Sequence, residues 1–128
     1  MREKVGLGMI NNSEKPTILL ACKSDKESYC TADLKEILFG IEEEQIPYAL
    51  TTIEEEDATV RAYKAALSSR LNVGLAYDQE NVIVHYKNLA QDQPLFVVNR
   101  KKGRAALRQL GNNAARLVKE VPFKNEYK

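Results

Sequence analysis

Three adjacent carboxylates, Glu42-Glu43-Glu44, are the most unusual chemistry-bearing group in this 128-residue chain. They fall at the C-terminal end of a predicted helix, where the helix dipole disfavours each negative charge by about 0.3–1 kcal/mol. A cation from outside the chain is the expected offset. Successive helical side chains point ~100° apart, so at most one or two of the three converge on one ion or basic partner. No complete metal site can be built here alone. Mg²⁺ commonly takes one or two protein carboxylates and completes its shell elsewhere, so a site shared with a second chain is chemically reasonable. The plainer alternative is a solvated acidic helix end.

The other candidates read more blandly. His85 is the only histidine. Strand alternation puts it on one face with Ile83 and Lys87, opposite Val84 and Tyr86. A general base needs a nucleophile and an orienting acid, and Ser24, Ser28 and Ser68 stand in no nucleophile-elbow context, so His85 reads as a hydrogen-bonded structural residue. Asn112 and Asn113 follow Gly111 and precede a helical stretch, so they read as helix caps; a phosphate or partner carboxylate at the same N-terminus is the sharper option. Arg116 and Lys119 dress an exposed helical face or an interface. No Gly-x-Gly-x-x-Gly or Walker-type lysine supports a nucleotide site within the chain. Cys22 and Cys30 have no metal-type spacing and read as reduced structural thiols.

Net charge is only +1, yet its distribution is lopsided. Asp25 to Asp57 holds eleven acids against Lys26 and Lys35, whereas Arg100 to Lys128 holds nine bases against Glu120 and Glu126. Opposed patches of this kind steer encounters with a complementary surface. Nucleic acid is disfavoured as a partner because the basic segment lacks interleaved aromatics and any recognised nucleic-acid motif. The longest apolar runs, near Thr17 to Ala21 and Leu95 to Val98, fall far short of the ~20 residues needed to span a bilayer. A cytoplasmic protein without a membrane partner is expected, with residues 1–16 as a mobile arm and 17–128 as one domain.

The elements that must position these residues follow from periodicity and link length. Thr17 to Cys22 is a buried strand after Pro16. Leu34, Ile37, Leu38 and Ile41 make a helical stripe behind the N-cap Thr31, giving a helix over about 32–44 that Pro47 keeps from continuing. Tyr48 to Thr52 is a second strand, and Val60, Tyr63, Ala66 and Leu67 stripe a helix over roughly 57–69. Val73 to Tyr77, Val82 to Tyr86 and Leu95 to Val98 are strands joined by links too short for parallel crossovers, so the fourth alone runs backwards. Leu107, Leu110, Ala114, Leu117 and Val118 mark a last helix that Gly111-Asn112-Asn113 should break or re-cap. Right-handed crossovers then predict a three-layer α/β/α fold around a five-stranded mixed sheet, order 2-1-3-4-5 with strand 4 antiparallel.

Three stretches carry a family resemblance: Gly40-Ile41-Glu42-Glu43-Glu44-Gln45-Ile46-Pro47, Val84-His85-Tyr86-Lys87-Asn88-Leu89 and Gly111-Asn112-Asn113-Ala114-Ala115-Arg116-Leu117-Val118-Lys119. From about Ile18 to Phe123 the chain resembles the small subunit of the diol/glycerol dehydratase reactivating factor, a relative of the dehydratase medium subunit. The resemblance implies a non-catalytic, chaperone-like subunit. Its partners would be a large ATPase subunit carrying ATP or ADP and an adenosylcobalamin-dependent dehydratase. Exchange of the small subunit against the dehydratase medium subunit would open the damaged enzyme and release inactive cobalamin. The alternative is a medium-subunit-like protein that contacts cobalamin itself. The chain alone would bind no cofactor. Glu43 looks like the family glutamate that reaches a Mg²⁺ at the large-subunit interface, with Glu42 and Glu44 beside it in that interface. The resemblance gives His85, Asn112, Asn113 and Arg116 no role, does not choose glycerol or propane-1,2-diol as the target enzyme's substrate, and leaves association with a bacterial microcompartment and the isolated chain's oligomeric state open. The arm before the first strand, and a loop at Lys23 to Cys30 that is long for this family, are the two departures.

Overall fold

A computed structural model of the chain describes residues 15–24 and 31–124. The expected arm therefore lies outside the described residues except for Lys15 and Pro16, as do Cys30 and most of the loop before it. Element order is β1 (Ile18–Cys22), α1 (Ala32–Glu43), β2 (Tyr48–Thr52), α2 (Ala58–Ser68), β3 (Val73–Tyr77), β4 (Asn81–Tyr86), β5 (Phe96–Asn99), a 3-10 turn (Arg100–Lys102) and α3 (Arg104–Lys119). The strands form one sheet in the order β2-β1-β3-β4-β5. β1 is parallel to β2 and β3, and β4 is antiparallel to both of its neighbours, as the short links require.

The main core lies between the sheet and the α1/α3 pair. Ile18, Leu20 and Cys22 of β1, Val73 and Leu75 of β3, and Val82 and Val84 of β4 face Leu34, Ile37, Ile41, Leu107 and Leu110. Alternation along each strand places this set on one side. The predicted α1 stripe is all buried.

Two helices depart from the sequence expectation. In α2 the buried residues are Ala58, Arg61, Ala62, Ala65 and Ala66, while Leu67 is exposed and Val60 and Tyr63 are half-buried. Small alanines let the helix axis approach β3, so its larger apolar side chains flank the contact instead of forming it. α3 runs without a break through Gly111-Asn112-Asn113. Its Gly111 is where the helix touches α1, and a contact of that quality outweighs the ~1 kcal/mol by which glycine disfavours helix. Asn112 and Asn113 are accordingly buried in mid-helix and cap nothing.

After α3, Glu120 adopts a left-handed conformation (φ 60°) and turns the chain back. Phe123 packs edge-on against Phe96 of β5 with ring centroids 5.1 Å apart. Asn113 then exchanges two hydrogen bonds with the Lys124 backbone: its amide donates to the carbonyl at 3.3 Å and its carbonyl accepts from the N–H at 2.6 Å. A buried side-chain amide thus replaces the backbone partner that this tail would otherwise lack.

Candidate functional site

The last turn of α1 delivers the three carboxylates to three different surroundings. Glu42 lies against the Tyr48 hydroxyl, whose pKa is pushed up by burial first and then by the charge of Glu42. Glu44 is nearly covered. It accepts from Lys119 Nζ at 2.7 Å on Oε1 and from Arg116 Nε at 3.0 Å on Oε2, and these two cations, Lys119 foremost, hold its carboxyl below the ordinary range against the opposing effect of burial. Glu43 stands between them and is 48% exposed at its side chain. It accepts from Asn112 Nδ2 at 3.0 Å on Oε1 and from Arg108 Nη1 at 2.6 Å on Oε2. The Asn112 amide is the main reason that its carboxyl also titrates low, with desolvation opposing and Arg108 adding.

The donors share one face of α3, because Arg108, Asn112, Arg116 and Lys119 recur at helical spacing. Asn112 is fixed from three sides: its amide also donates to the Gly40 carbonyl at 2.8 Å, and its own carbonyl accepts from Lys124 Nζ at 3.2 Å. Arg108 also reaches Glu36, Nε at 3.0 Å and Nη2 at 2.8 Å from the same Oε1, and lies 5.4 Å over the exposed Phe39 ring. Arg104 adds a longer contact to Glu36, at 3.5 Å. α3 therefore supplies cationic partners for Glu43 and Glu44 from within the chain, where the sequence alone pointed to a cation outside it. Glu36, Glu43 and Glu44 of the acidic half are paired with Arg104, Arg108, Arg116 and Lys119 of the basic half across the α1/α3 contact, and Arg100 continues the pattern by gripping Asp33 at 2.6 and 3.2 Å.

Among the described residues no three His, Cys, Asp or Glu side chains converge to hold a metal ion. Glu43 fits as a single ligand. It is half exposed, and each of its oxygens accepts one bond from within the chain, which leaves carboxylate lone pairs for a cation brought by another surface.

His85 is fully buried. Its Nδ1 accepts from the Tyr86 N–H at 3.0 Å, which assigns the proton to Nε2, and Nε2 donates to the Gln91 carbonyl at 2.9 Å. Its ring lies 5.0 Å from that of Tyr63. The imidazole is a structural pin, as its setting in the sequence suggests. Cys22 is likewise buried, its thiol donating to the Ser24 carbonyl at 3.0 Å.

A second feature escaped the sequence reading. At the carboxyl ends of β1 and β3, where the strand order reverses, an open cleft of about 460 Å³ is lined by Lys23, Arg61, Tyr77, Asp78 and Arg100 among others. Arg61 is 2% exposed and donates to the carbonyls of Glu55, Glu56 and Tyr77. It clamps the loop before α2 to the end of β3. An arginine four residues after the N-cap Asp57 and in phase with Ala58, Ala62 and Ala65 was the available signal. No helix among the described residues is long and apolar enough to cross a membrane.

Comparison with known proteins agrees with this architecture. The family model described as dehydratase medium subunit matches residues 15–124. The propanediol dehydratase-reactivating factor small subunit of Salmonella typhimurium is 42% identical over 117 residues, covering 91% of this chain and 97% of the relative. Among solved structures, a chain of the diol dehydratase-reactivating factor complexed with ADP and Mg²⁺ superposes with a TM-score of 0.78 at 41% identity, covering 87% of this chain and 99% of the other. A chain of a glycerol dehydratase reactivase does so with a TM-score of 0.76 at 28% identity, covering 87% and 98%. The continuous match across every strand and helix places this chain in the dehydratase medium-subunit family, among the small subunits of diol/glycerol dehydratase-reactivating factors.

Proposed function

We propose that this chain is the small, non-catalytic subunit of a reactivating factor for an adenosylcobalamin-dependent diol or glycerol dehydratase. Its partner is a large subunit that binds and hydrolyses ATP. The observation that carries the reading is the similarity, in sequence and in fold, to small subunits of that factor over nearly their whole length. Membership of a family described by the dehydratase's own medium subunit supplies the mechanism. Two proteins of one shape can compete for one docking surface, so release of the small subunit from the ATPase frees a position that the medium subunit of a damaged dehydratase can take. The exchange loosens the dehydratase and lets spent cobalamin leave.

Glu42, Glu43 and Glu44 form the acidic edge of the proposed docking surface, and Glu43 is the ligand that this chain would contribute to a shared Mg²⁺. When bound, that ion would tie the two subunits through charge that neither supplies alone. The chain's own part is to present one carboxylate at a defined place: Asn112 holds one oxygen, and the α1/α3 contact sets the height of the helix end.

Native mass spectrometry of the chain co-expressed with the ATPase subunit and dehydratase of its own cell is the test. A stable complex with the ATPase, from which added dehydratase displaces this chain, is expected. If the chain associates with neither protein, the reading fails; if the chain alone binds cobalamin tightly in an optical titration, a cobalamin-contacting medium-subunit role replaces it.

A further inference from the structure

We infer that Arg108 is a built-in counterion that occupies Glu43 in the free chain and withdraws onto Glu36 when a partner's cation arrives. This rests on the proposed role of Glu43 and adds how that role is regulated. The two carboxylates hold the guanidinium unequally. Glu36, whose side chain is 12% exposed, takes two of its nitrogens, Nε at 3.0 Å and Nη2 at 2.8 Å. Glu43, at 48% exposed, takes only Nη1, at 2.6 Å. An exposed single contact is exchanged readily for another cation, whereas a shielded two-nitrogen contact is not.

The surroundings let Arg108 stay put after the exchange. The Phe39 ring supports the guanidinium from beneath at 5.4 Å, and Glu36 alone retains charge pairing. Glu43 is meanwhile kept in place by Asn112, whose amide is anchored on the Gly40 carbonyl. The carboxylate thus changes partner without changing position. In the free chain the arrangement neutralises Glu43; in the complex, Arg108 sets how much cation is needed for assembly.

The test is the affinity of Mn²⁺, read by electron paramagnetic resonance, for the nucleotide-free two-subunit complex. Glu43→Gln should weaken binding at the interface. Arg108→Gln, which removes the competing cation, should tighten it by about five-fold, the scale of one partly exposed charge pair. Glu36→Gln, which leaves Arg108 with Glu43 as its main anchor, should weaken it by about two- to five-fold. A purely structural Arg108 would not give opposite signs in these two variants. If Glu43→Gln weakens binding while Arg108→Gln does not tighten it or Glu36→Gln does not weaken it, the exchange is overturned and the role of Glu43 stands. If Glu43→Gln leaves Mn²⁺ affinity unchanged, the role of Glu43 falls and the exchange with it. Should the Arg108 variant fail to assemble, the Glu36 variant decides alone.

Discussion

Gly40 of α1 and Gly111 of α3 meet backbone against backbone: a Cβ on Gly111 would lie 2.0 Å from the Ile37 carbonyl oxygen, and one on Gly40 would lie 2.2 Å from that of Arg108. Each glycine is the hole into which the other helix fits. This contact sets the distance between the acidic end of α1 and the basic face of α3, and so makes Glu43 and Glu44 reachable from Arg108, Asn112, Arg116 and Lys119.

Gly111→Ala tests that contact by the sign of its effect. In an isolated exposed helix the change would stabilise by about 1 kcal/mol. Here it forces two backbones apart, and a loss of about 2–3 kcal/mol in urea denaturation is expected. A stabilised variant would mean that the two helices are not in close contact.

Asp33 provides a pH test. The side-chain hydrogen bond from Arg100 lowers its pKa from 3.8 to about 2 in the folded chain. A carboxyl that binds its proton less readily when folded stabilises the protein above its unfolded pKa and loses that contribution as pH falls through the folded one. The window is therefore about pH 4 down to about 2. Asp33→Asn should lower stability at neutral pH by about 1–2 kcal/mol, allowing for partial solvent screening, and should flatten the decline across that window. Parallel stability–pH curves for variant and wild type would show that the pair contributes nothing.

Removing the Asn112 side chain should be felt at Glu43. Asn112→Ala leaves the buried Gly40 carbonyl without its amide donor and is expected to cost about 1–3 kcal/mol. The Glu43 carboxyl, held low chiefly by that amide, should then titrate at higher pH in a carbon-detected NMR titration. An unmoved Glu43 would assign its lowered pKa to Arg108 and Lys124 instead.

His85→Leu separates structure from function. It strands the Tyr86 N–H and the Gln91 carbonyl, and a loss of about 1–3 kcal/mol follows. Association with the ATPase subunit should survive in the folded fraction. A fully folded variant that no longer associates would give His85 a role at the interface.

Much of the architecture could be read from local pattern. The links 78–81 and 88–93 are too short for parallel crossovers, so the reversal of β4 needed no tertiary knowledge. Leu34, Ile37, Leu38 and Ile41 declared the buried face of α1 by spacing alone. The α2 face was misjudged because the large apolar residues Tyr63 and Leu67 outweighed the alanines in a hydrophobicity pattern, while closeness to β3 favoured the small side chains.

By itself, the sequence determined the single reversed strand, the structural place of His85 and the location of the acidic helix end, since each depends on residues within one element or one short link, and the strand order followed once the handedness of the crossovers was added. Only the tertiary structure decided that α3 is continuous and that Glu43 and Glu44 find their cations 65 to 75 residues away on that helix. The reason is that both outcomes depend on how closely two helix backbones approach. That distance is set where Gly40 and Gly111 touch, and residues so far apart in the chain carry no local pattern that reports it.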